Sequence, residues 1–313
     1  MNRKVCLLIG DGFTKDFVGK SVNTSKPLNR FENEEISSFY QFFSTNLTDI
    51  HNELMALIVD HQLESEFDAI ELFVEINKDD DRKECQLRRY LSLAYSSLQR
   101  YLDKRDKSNW RWFKWLSENK DEIAFGISFN YDLLLENTLQ LTNTPYFRLG
   151  SNESDFGIPI IKPHGSIDFD IQQPQHKFVM HQASIAPMIW NSSFTLNQFD
   201  SMVQVIPNTH WLLPRLQPDI IPPSQENYQR NLDWVEKGFG VFDKYANEIT
   251  DLIMIGHSYS ACDRPEIDHF LERLNSNALV HIVNPQLLED LTDKLDNLNL
   301  KYRTIVDFET MPW

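Results

Sequence analysis

The sequence predicts an α/β fold built on a doubly wound, mostly parallel sheet, and two observations support this prediction. Short, continuous apolar segments typical of buried strands recur along the chain, and in its second half they alternate with helical periodicity. Two of these segments end in polar residues, at Ser128-Phe129-Asn130-Tyr131-Asp132 and at Lys162-Pro163-His164-Gly165-Ser166. Because ligands bind beyond the carboxyl ends of strands in open α/β sheets, these polar residues are the first candidates for a site.

Length and composition restrict the class of protein. The chain has 313 residues, of which 41% are hydrophobic and 24% charged, so it can build a complete core. Its formal net charge of -16 argues against nucleic-acid binding and disfavours an anionic membrane surface. Cys6, Cys85 and Cys262 are widely spaced without a C-x-x-C pair, which argues against a disulfide framework and fits a reduced, cytoplasmic setting. We find no signal-peptide pattern and no apolar segment of about 18 residues that would cross a membrane.

The first predicted strand, Lys4–Ile9, runs into the glycine-rich segment Gly10-Asp11-Gly12-Phe13-Thr14. Two glycines allow close backbone approach, and the free N–H groups of such a turn favour a phosphate. Lys15 stands where the third glycine of a dinucleotide-binding fingerprint would be, so a purely structural turn is an alternative. Residues 16–34 are predicted to form a polar loop.

Residues 31–120 are predicted to form a helical insertion in the sheet, or a cap over it. Apolar residues recur at three- and four-residue steps from Ile36 to Leu57 and again from Leu87 to Tyr101, and a third such segment starts at Trp110. The predicted sheet domain therefore consists of residues 1–30 and 121–313.

Strands and helices alternate in the rest of the chain, which indicates parallel pairing. The predicted strands are 123–129, 158–162, 176–180, 210–213, 251–255 and 279–283, and the predicted helices are 132–141, 226–247, 265–275 and 285–297.

Three residues after the strands are candidates for catalysis. Asn130 and Asp132 are two positions apart, and on an extended backbone they lie on the same face. The alternatives are a turn residue for Asn130 and a helix N-cap for Asp132. His164 ends an apolar strand and precedes Gly165, and the alternative is a structural histidine.

Two later loops follow predicted strands and are expected to line the same crevice. One contains Gly256 and Ser258, and the other contains Asn284. Ser260 occupies the place of the second glycine of a nucleophile elbow, which disfavours a serine hydrolase. The sequence predicts no metal site, since His176, His181 and His210 have no partner at metal-ligand spacing.

Taken in order, these segments resemble the sirtuin family, and in particular the sirtuin-like NAD-hydrolysing domains of bacterial anti-phage defence. The resemblance implies a Rossmann-like fold without a zinc module, because the two C-x-x-C pairs of protein-deacylating sirtuins are absent. The similar segments are Gly10–Phe13 (glycine-rich NAD loop), Ser128–Asp132 (threonine-x-asparagine-x-aspartate), Pro163–Gly165 (histidine-glycine), Ile255–Ser258 (glycine-serine loop) and Val283–Pro285 (adenosine-ribose loop).

The resemblance implies that NAD is the substrate and that water cleaves its nicotinamide glycosidic bond, giving nicotinamide and ADP-ribose. Asn130 would position the ribose and the water, and Asp132 would orient Asn130 or bind ribose. His164 would act as a base or a hydrogen-bond partner toward the ribose hydroxyls. The remaining implied contacts are Gly10, Gly12, Phe13 and Thr14 with the phosphates and nicotinamide, Asp11 with a ribose hydroxyl or the backbone, and Gly256, Ser258 and Asn284 with the adenosine half.

The resemblance also implies a biological setting. An NADase of this kind would deplete NAD in abortive infection, assemble as a homo-oligomer and pair with a HerA-type ATPase. Two other functions stay open: an NAD or ADP-ribose sensor without turnover, and a protein ADP-ribosyltransferase or deacylase.

Overall fold

The computed structural model describes residues 3–19, 44–60, 66–171, 203–213, 215, 218–224, 226–229, 232–307 and 310–313. The predicted strand 176–180, with His176 and His181, and the part of the predicted insertion before residue 44 lie outside these residues. The chain forms two compact units, the first made of Met1–Lys20, Leu102–Pro163 and Gln225–Trp313, and the second of Ser21–Tyr101 and His164–Ser224. The domain boundaries at residues 30 and 121 stay a prediction.

Ten strands and nine α-helices lie within the described ranges. The strands are β1 Val5–Ile9, β2 Ile123–Ser128, β3 Tyr146–Arg148, β4 Ile158–Ile161, β5 Gly165–Ile171, β6 Val203–Val205, β7 Pro218–Ile220, β8 Asp251–Ile255, β9 Leu279–Val283 and β10 Lys301–Ile305. The helices are α1 Asp11–Val18, α2 Met55–Asp60, α3 Glu66–Ile76, α4 Asp81–Asp103, α5 Arg111–Asn119, α6 Leu134–Leu141, α7 Asp233–Tyr245, α8 Arg264–Arg273 and α9 Glu289–Asn297.

The first unit is built on a seven-stranded sheet in the order β10-β9-β8-β1-β2-β4-β3, with every neighbouring pair parallel. This confirms the predicted Rossmann-like α/β fold. After β1 the chain continues to β2 on one side, whereas β8 and the strands after it lie on the other side. The strand order therefore reverses at β1, which is where open α/β sheets bind ligands.

The central strands are continuous apolar segments because both of their faces are covered. All five residues of β1 and all five of β8 are buried. Alternate residues of four strands share one hydrophobic cluster with helices α7, α8 and α9. This cluster includes Cys6, Leu8, Phe125, Ile127, Leu252, Met254, Val280, Ile282, Phe242, Ile267, Phe270, Leu291 and Leu295.

The predicted turn at Gly10 was wrong, because a helix starts there. Of the loop predicted at 16–34, residues 16–18 are helical instead, and residues 20–34 lie outside the described residues. Gly10 is the extended N-cap residue of α1, and Asp11 is its first residue. Asp11 lies where the helix dipole favours a negative charge, and its carboxylate is 2.8 Å from the Lys15 ammonium one turn later. The glycine-rich segment is therefore the first turn of a helix.

The second unit contains an antiparallel sheet in the order β6-β5-β7, which the sequence did not predict. The strand predicted at 210–213 was wrong, since Asn208–His210 form a 3-10 turn and the chain continues in a turn. The turn follows Pro207, whose φ of -70° suits the start of a helical turn. The helices predicted within residues 87–119 are present as α4 and α5.

Candidate active site

The carboxyl ends of the central strands are held in line by main-chain hydrogen bonds. The N–H of Phe129, which follows β2, donates to the carbonyl of Ile9 over 3.0 Å. The N–H of Gly10, which follows β1, donates to the carbonyl of Ile255 over 2.9 Å. The segments after β1, β2 and β8 therefore begin at one edge of the sheet.

Gly10 and Gly12 allow α1 to start against the loop after β8. The N–H of Gly12 donates to the carbonyl of Gly256 over 2.8 Å. A Cβ on Gly12 would lie 2.4 Å from Gly256 Cα, and one on Gly10 would lie 2.7 Å from the Gly256 oxygen. Gly256 itself has a φ of +59°, which favours glycine. These glycines are required by a close approach between two segments of the chain, and the N–H of Gly12 bonds within the protein.

Asn130, Thr14 and Asp132 form a buried hydrogen-bonded chain. The Thr14 hydroxyl donates to Asp132 Oδ2 over 2.8 Å and accepts from Asn130 Nδ2 over 3.2 Å. Thr14 is fully buried, and the two other side chains are at most 9% exposed. The hydroxyl therefore sets the orientation of the Asn130 amide relative to the Asp132 carboxylate. The structure brings together three residues that the sequence proposed for two different roles.

Asp132 also fixes the start of the next helix. Its Oδ1 accepts from the N–H of Leu134, the first residue of α6, over 3.0 Å. Burial raises the pKa of Asp132, against the opposing effects of the Lys162 charge and of the Leu134 and Thr14 donors. The N-cap residue of α6 is Leu133 and not Asp132, as the capping alternative had it, but Asp132 still accepts from the first helical N–H from one position earlier.

A buried ion pair lies beneath this segment. The Lys162 ammonium donates to the main-chain carbonyl of Asp132 over 2.8 Å and lies 3.1 Å from Glu136 Oε1. The Lys162 side chain is 0% exposed and the Glu136 side chain 1%. Sequence reasoning assigned no role to either residue, although a lysine at the end of an apolar strand was a signal.

Phe13 is part of the core of the first unit. Its ring is 4.7 Å from the ring of Trp110 and is almost fully buried. Asp16 holds the same region, since its carboxylate accepts from Trp110 Nε1 over 2.7 Å and pairs with Arg111 over 2.8 Å. These contacts tie α1, which carries Thr14, to the start of α5.

His164 lies in the second unit, directly before β5. It is buried, and its main-chain carbonyl accepts from the N–H of Ile221 over 2.9 Å. Gly165 has a φ of +75°, and a Cβ there would lie 1.8 Å from the Asp219 carbonyl oxygen. The backbone of β7 and of Ile221 therefore packs against the histidine-glycine segment, and only glycine fits at position 165.

The loops after β8 and β9 are joined to each other. Asn284 Nδ2 donates to the carbonyl of His257 over 2.9 Å, and Asn284 Oδ1 accepts from the N–H of Gln286 over 3.0 Å. The His257 ring is buried 4.8 Å from that of Phe129, whereas Ser258 is exposed. Asn284 thus joins the two loops through its own side chain, and Ser258 is exposed.

Within the described ranges, no group of three or more His, Cys, Asp or Glu side chains could hold a metal ion. Over the same part of the chain, none of the helices has the length and apolar character needed to span a bilayer.

Comparison with known proteins relates the chain to solved structures only. No family model matches it, and no curated protein does. A structure of Sir2Tm bound to a propionylated peptide is 14% identical, with 96% of this chain and 86% of that chain covered and a TM-score of 0.33. A structure on the basis of sirtuin substrate affinity is 16% identical, with 98% and 91% covered and a TM-score of 0.35. A Sir2 structure with a deacetylated p53 peptide and 3'-O-acetyl ADP-ribose is 15% identical, with 96% and 87% covered and a TM-score of 0.35.

Proposed function

We propose that this chain is an NAD+ glycohydrolase that cleaves the nicotinamide glycosidic bond to give nicotinamide and ADP-ribose. The observation that carries the proposal is the buried chain Asn130–Thr14–Asp132 beside the ends of β1 and β2. An amide whose orientation is set by a hydroxyl and a carboxylate is suited to hold a ribose and a water in one geometry. These three hydrogen-bonded residues lie where the strand order reverses, which supports a nucleotide ligand.

The chemistry needs no proton on the leaving group. The bond between ribose C1' and the pyridinium nitrogen breaks with its electron pair on nitrogen, which leaves as neutral nicotinamide. The ribosyl centre becomes oxocarbenium-like, and a water oxygen then bonds to C1' and loses a proton. We assign Asn130 to position the ribose and this water, and His164 to act as base or hydrogen-bond partner toward the ribose hydroxyls. An imidazole nitrogen can accept a proton and return it, which suits that exchange.

The other predicted contacts take more specific roles in this proposal. Both Asp132 oxygens accept hydrogen bonds within the protein, so Asp132 orients Asn130 through Thr14. The resemblance implies a pyrophosphate at the first turn of α1, but the N–H groups of Gly10, Gly12 and Phe13 bond within the protein. In this proposal these residues therefore shape the turn and do not donate to the phosphates. Ser258 is exposed and available to the adenosine half, and Asn284 would act by holding its loop.

The proposal extends to a biological role through the resemblance of the motifs. An NADase that empties the cell of NAD suits an abortive-infection effector of anti-phage defence, working in the cytoplasm. Such an activity must be restrained until it is needed. We therefore propose a homo-oligomer whose activity is controlled by a HerA-type ATPase partner.

The test is nicotinamide release from NAD by the purified chain, alone and with a purified HerA-type ATPase. We expect Asn130→Ala and His164→Ala each to abolish release. The matched control is Asn137→Ala, because Asn137 is a half-buried asparagine on α6 whose amide donates to Asp103 over 2.8 Å. Near wild-type turnover in both Asn130→Ala and His164→Ala would contradict the assignment.

Two other outcomes would identify the competing functions. Binding of NAD or ADP-ribose in calorimetry without any release of nicotinamide would indicate a sensor module. Transfer of labelled ADP-ribose from NAD to protein, or removal of an acyl group from a peptide, would indicate the transferase or deacylase.

A further inference from the structure

We infer that Lys162 is a positioning residue for the Asn130–Asp132 segment, with Glu136 as its buried counter-charge. This inference rests on the proposed function, because it names a residue that would act on the same site without touching the substrate. It concerns contacts within the first unit of the chain. Neither residue belongs to the set that the motif resemblance implies for NAD.

The ammonium of Lys162 restrains the main chain of the candidate site at Asp132. It donates to the main-chain oxygen of Asp132 over 2.8 Å and lies 3.1 Å from Glu136 Oε1. Asp132 is two residues after Asn130, and its own side chain is bonded to Thr14 and to the N–H of Leu134. Lys162 thus supplies a main-chain restraint to a residue whose side chain is already held at both oxygens.

The burial of this pair argues for a positional role. Both side chains are at most 1% exposed, so neither charge is stabilised by water. Replacing a buried ion pair by apolar residues of similar volume is often neutral or stabilising, so stability alone does not require it. The restraint that Lys162 places on the Asp132 carbonyl instead explains why a lysine is buried at this position.

Lys162 also anchors the segment that leads to His164. Its main-chain carbonyl accepts from Trp234 Nε1 over 3.3 Å, and its side chain ends on Asp132. His164 follows two positions later in the sequence. Within the first unit, Lys162 therefore bonds Asp132 through its side chain and Trp234 through its main chain.

The test compares four variants in nicotinamide release and in folding. In Lys162→Met, we expect kcat to fall about 100-fold through misplacement of Asn130, with KM changed much less. Glu136→Gln keeps the lysine donor on the Asp132 carbonyl, so we expect a smaller loss. If Lys162→Met fails to fold, the double variant Lys162→Met/Glu136→Gln removes both charges and allows the same measurement.

Lys107→Met is the matched control for a buried lysine that bonds a main-chain carbonyl. Lys107 is 5% exposed, and its ammonium donates to the Leu102 carbonyl over 2.9 Å and lies 5.2 Å from the Phe17 ring. We expect it to lose stability but to keep kcat. An equal loss of kcat in Lys107→Met and Lys162→Met would reduce Lys162 to a structural role and overturn the inference.

A second readout does not depend on NAD hydrolysis. The Asn130 side-chain amide gives a pair of NMR signals, which are assigned by their absence in Asn130→Ala. We expect these signals to shift in Lys162→Met and to stay in place in Lys107→Met. If the wild type releases no nicotinamide, the proposed function fails and this spectrum alone decides the inference. Unmoved Asn130 signals in folded Lys162→Met would refute it.

Discussion

Thr14→Val is the sharpest perturbation of the candidate site, because it keeps the shape of the side chain and removes one hydroxyl. That hydroxyl is fully buried and makes two hydrogen bonds, to Asp132 over 2.8 Å and from Asn130 over 3.2 Å. The variant leaves a carboxylate oxygen and an amide group without their partner. We expect both stability and activity to fall.

The expected loss of stability follows from the two bonds. A hydrogen bond to an ionised group contributes about 1.5–3 kcal/mol, and one between neutral groups about 0.5–1.5 kcal/mol. The longer Asn130 bond belongs at the low end of its range, so we expect the free energy of unfolding to fall by about 2–4 kcal/mol. Urea denaturation at neutral pH measures this change. Thr14→Ser is the control, since it keeps the hydroxyl and loses one buried methyl group, which costs about 1 kcal/mol.

The pH dependence gives an independent check. Burial raises the pKa of Asp132 above its usual 3.8, so the folded state holds the proton more strongly than the unfolded state. The contribution of Asp132 to the free energy of unfolding is therefore lost as the pH rises from 3.8 through the pKa of Asp132 in the folded protein. Removing the Thr14 donor raises the pKa of Asp132 further. The stability gap between Thr14→Val and the wild type should thus widen as the pH rises through the pKa of Asp132 in the folded wild type.

Activity decides whether the hydroxyl orients Asn130. Nicotinamide release by Thr14→Val should fall about 100-fold, as misplaced catalytic groups do, whereas Thr14→Ser should keep most of it. A folded Thr14→Val that releases nicotinamide at the wild-type rate would refute the view that Thr14 links Asp132 to Asn130. Equal loss in Thr14→Ser would refute it as well, because the hydroxyl is still present there.

Three further predictions test the fold and its charges. Gly12→Ala should destabilise the protein by about 1–3 kcal/mol or prevent folding, since its Cβ would lie 2.4 Å from Gly256 Cα. Gly240→Ala, in α7 with nothing within 4 Å of the added Cβ, should instead stabilise it by about 0.5–1 kcal/mol in the same denaturation assay. Burial raises the pKa of Asp219 to about 7, against the charge of Arg88, so wild-type stability should fall as pH rises from about 4 to about 7. Asp219→Asn should lack this fall, and an unchanged pH profile would contradict the assignment. Ellman's reagent should react slowly with the folded protein, because all three cysteines are buried and burial raises the pKa of the Cys6 thiol. Rapid labelling of three thiols before unfolding would contradict this prediction.

The strands that the sequence predicted correctly share one physical property. β1, β2, β8 and β9 lie inside the parallel sheet and are covered on both faces, so each is a mostly apolar segment. The polar residues among them, such as Asp251 and His281, are themselves buried. β10 was missed because it is an edge strand of mostly polar residues, Lys301–Ile305, with only its last residue buried. β5 was missed because two of its positions, Asp168 and Asp170, are buried carboxylates whose charges act on the buried Arg215. From the sequence alone, these two aspartates predict an exposed segment, and only the charge of Arg215 explains their burial.

Local pattern determined the α/β class, the order of the central strands along the chain, and the choice of Asn130, Asp132 and His164 as candidates. These depend on residues close together in sequence, where burial leaves a visible period. Tertiary structure alone decided the role of Thr14, whose partners Asn130 and Asp132 lie 116 and 118 positions away. It also decided that Gly12 packs on Gly256 and that Lys162 reaches the Asp132 carbonyl. Each of these contacts forms because parallel strands place distant segments side by side. The local sequence does not show which strands pair in this way, so it does not show which residues come together.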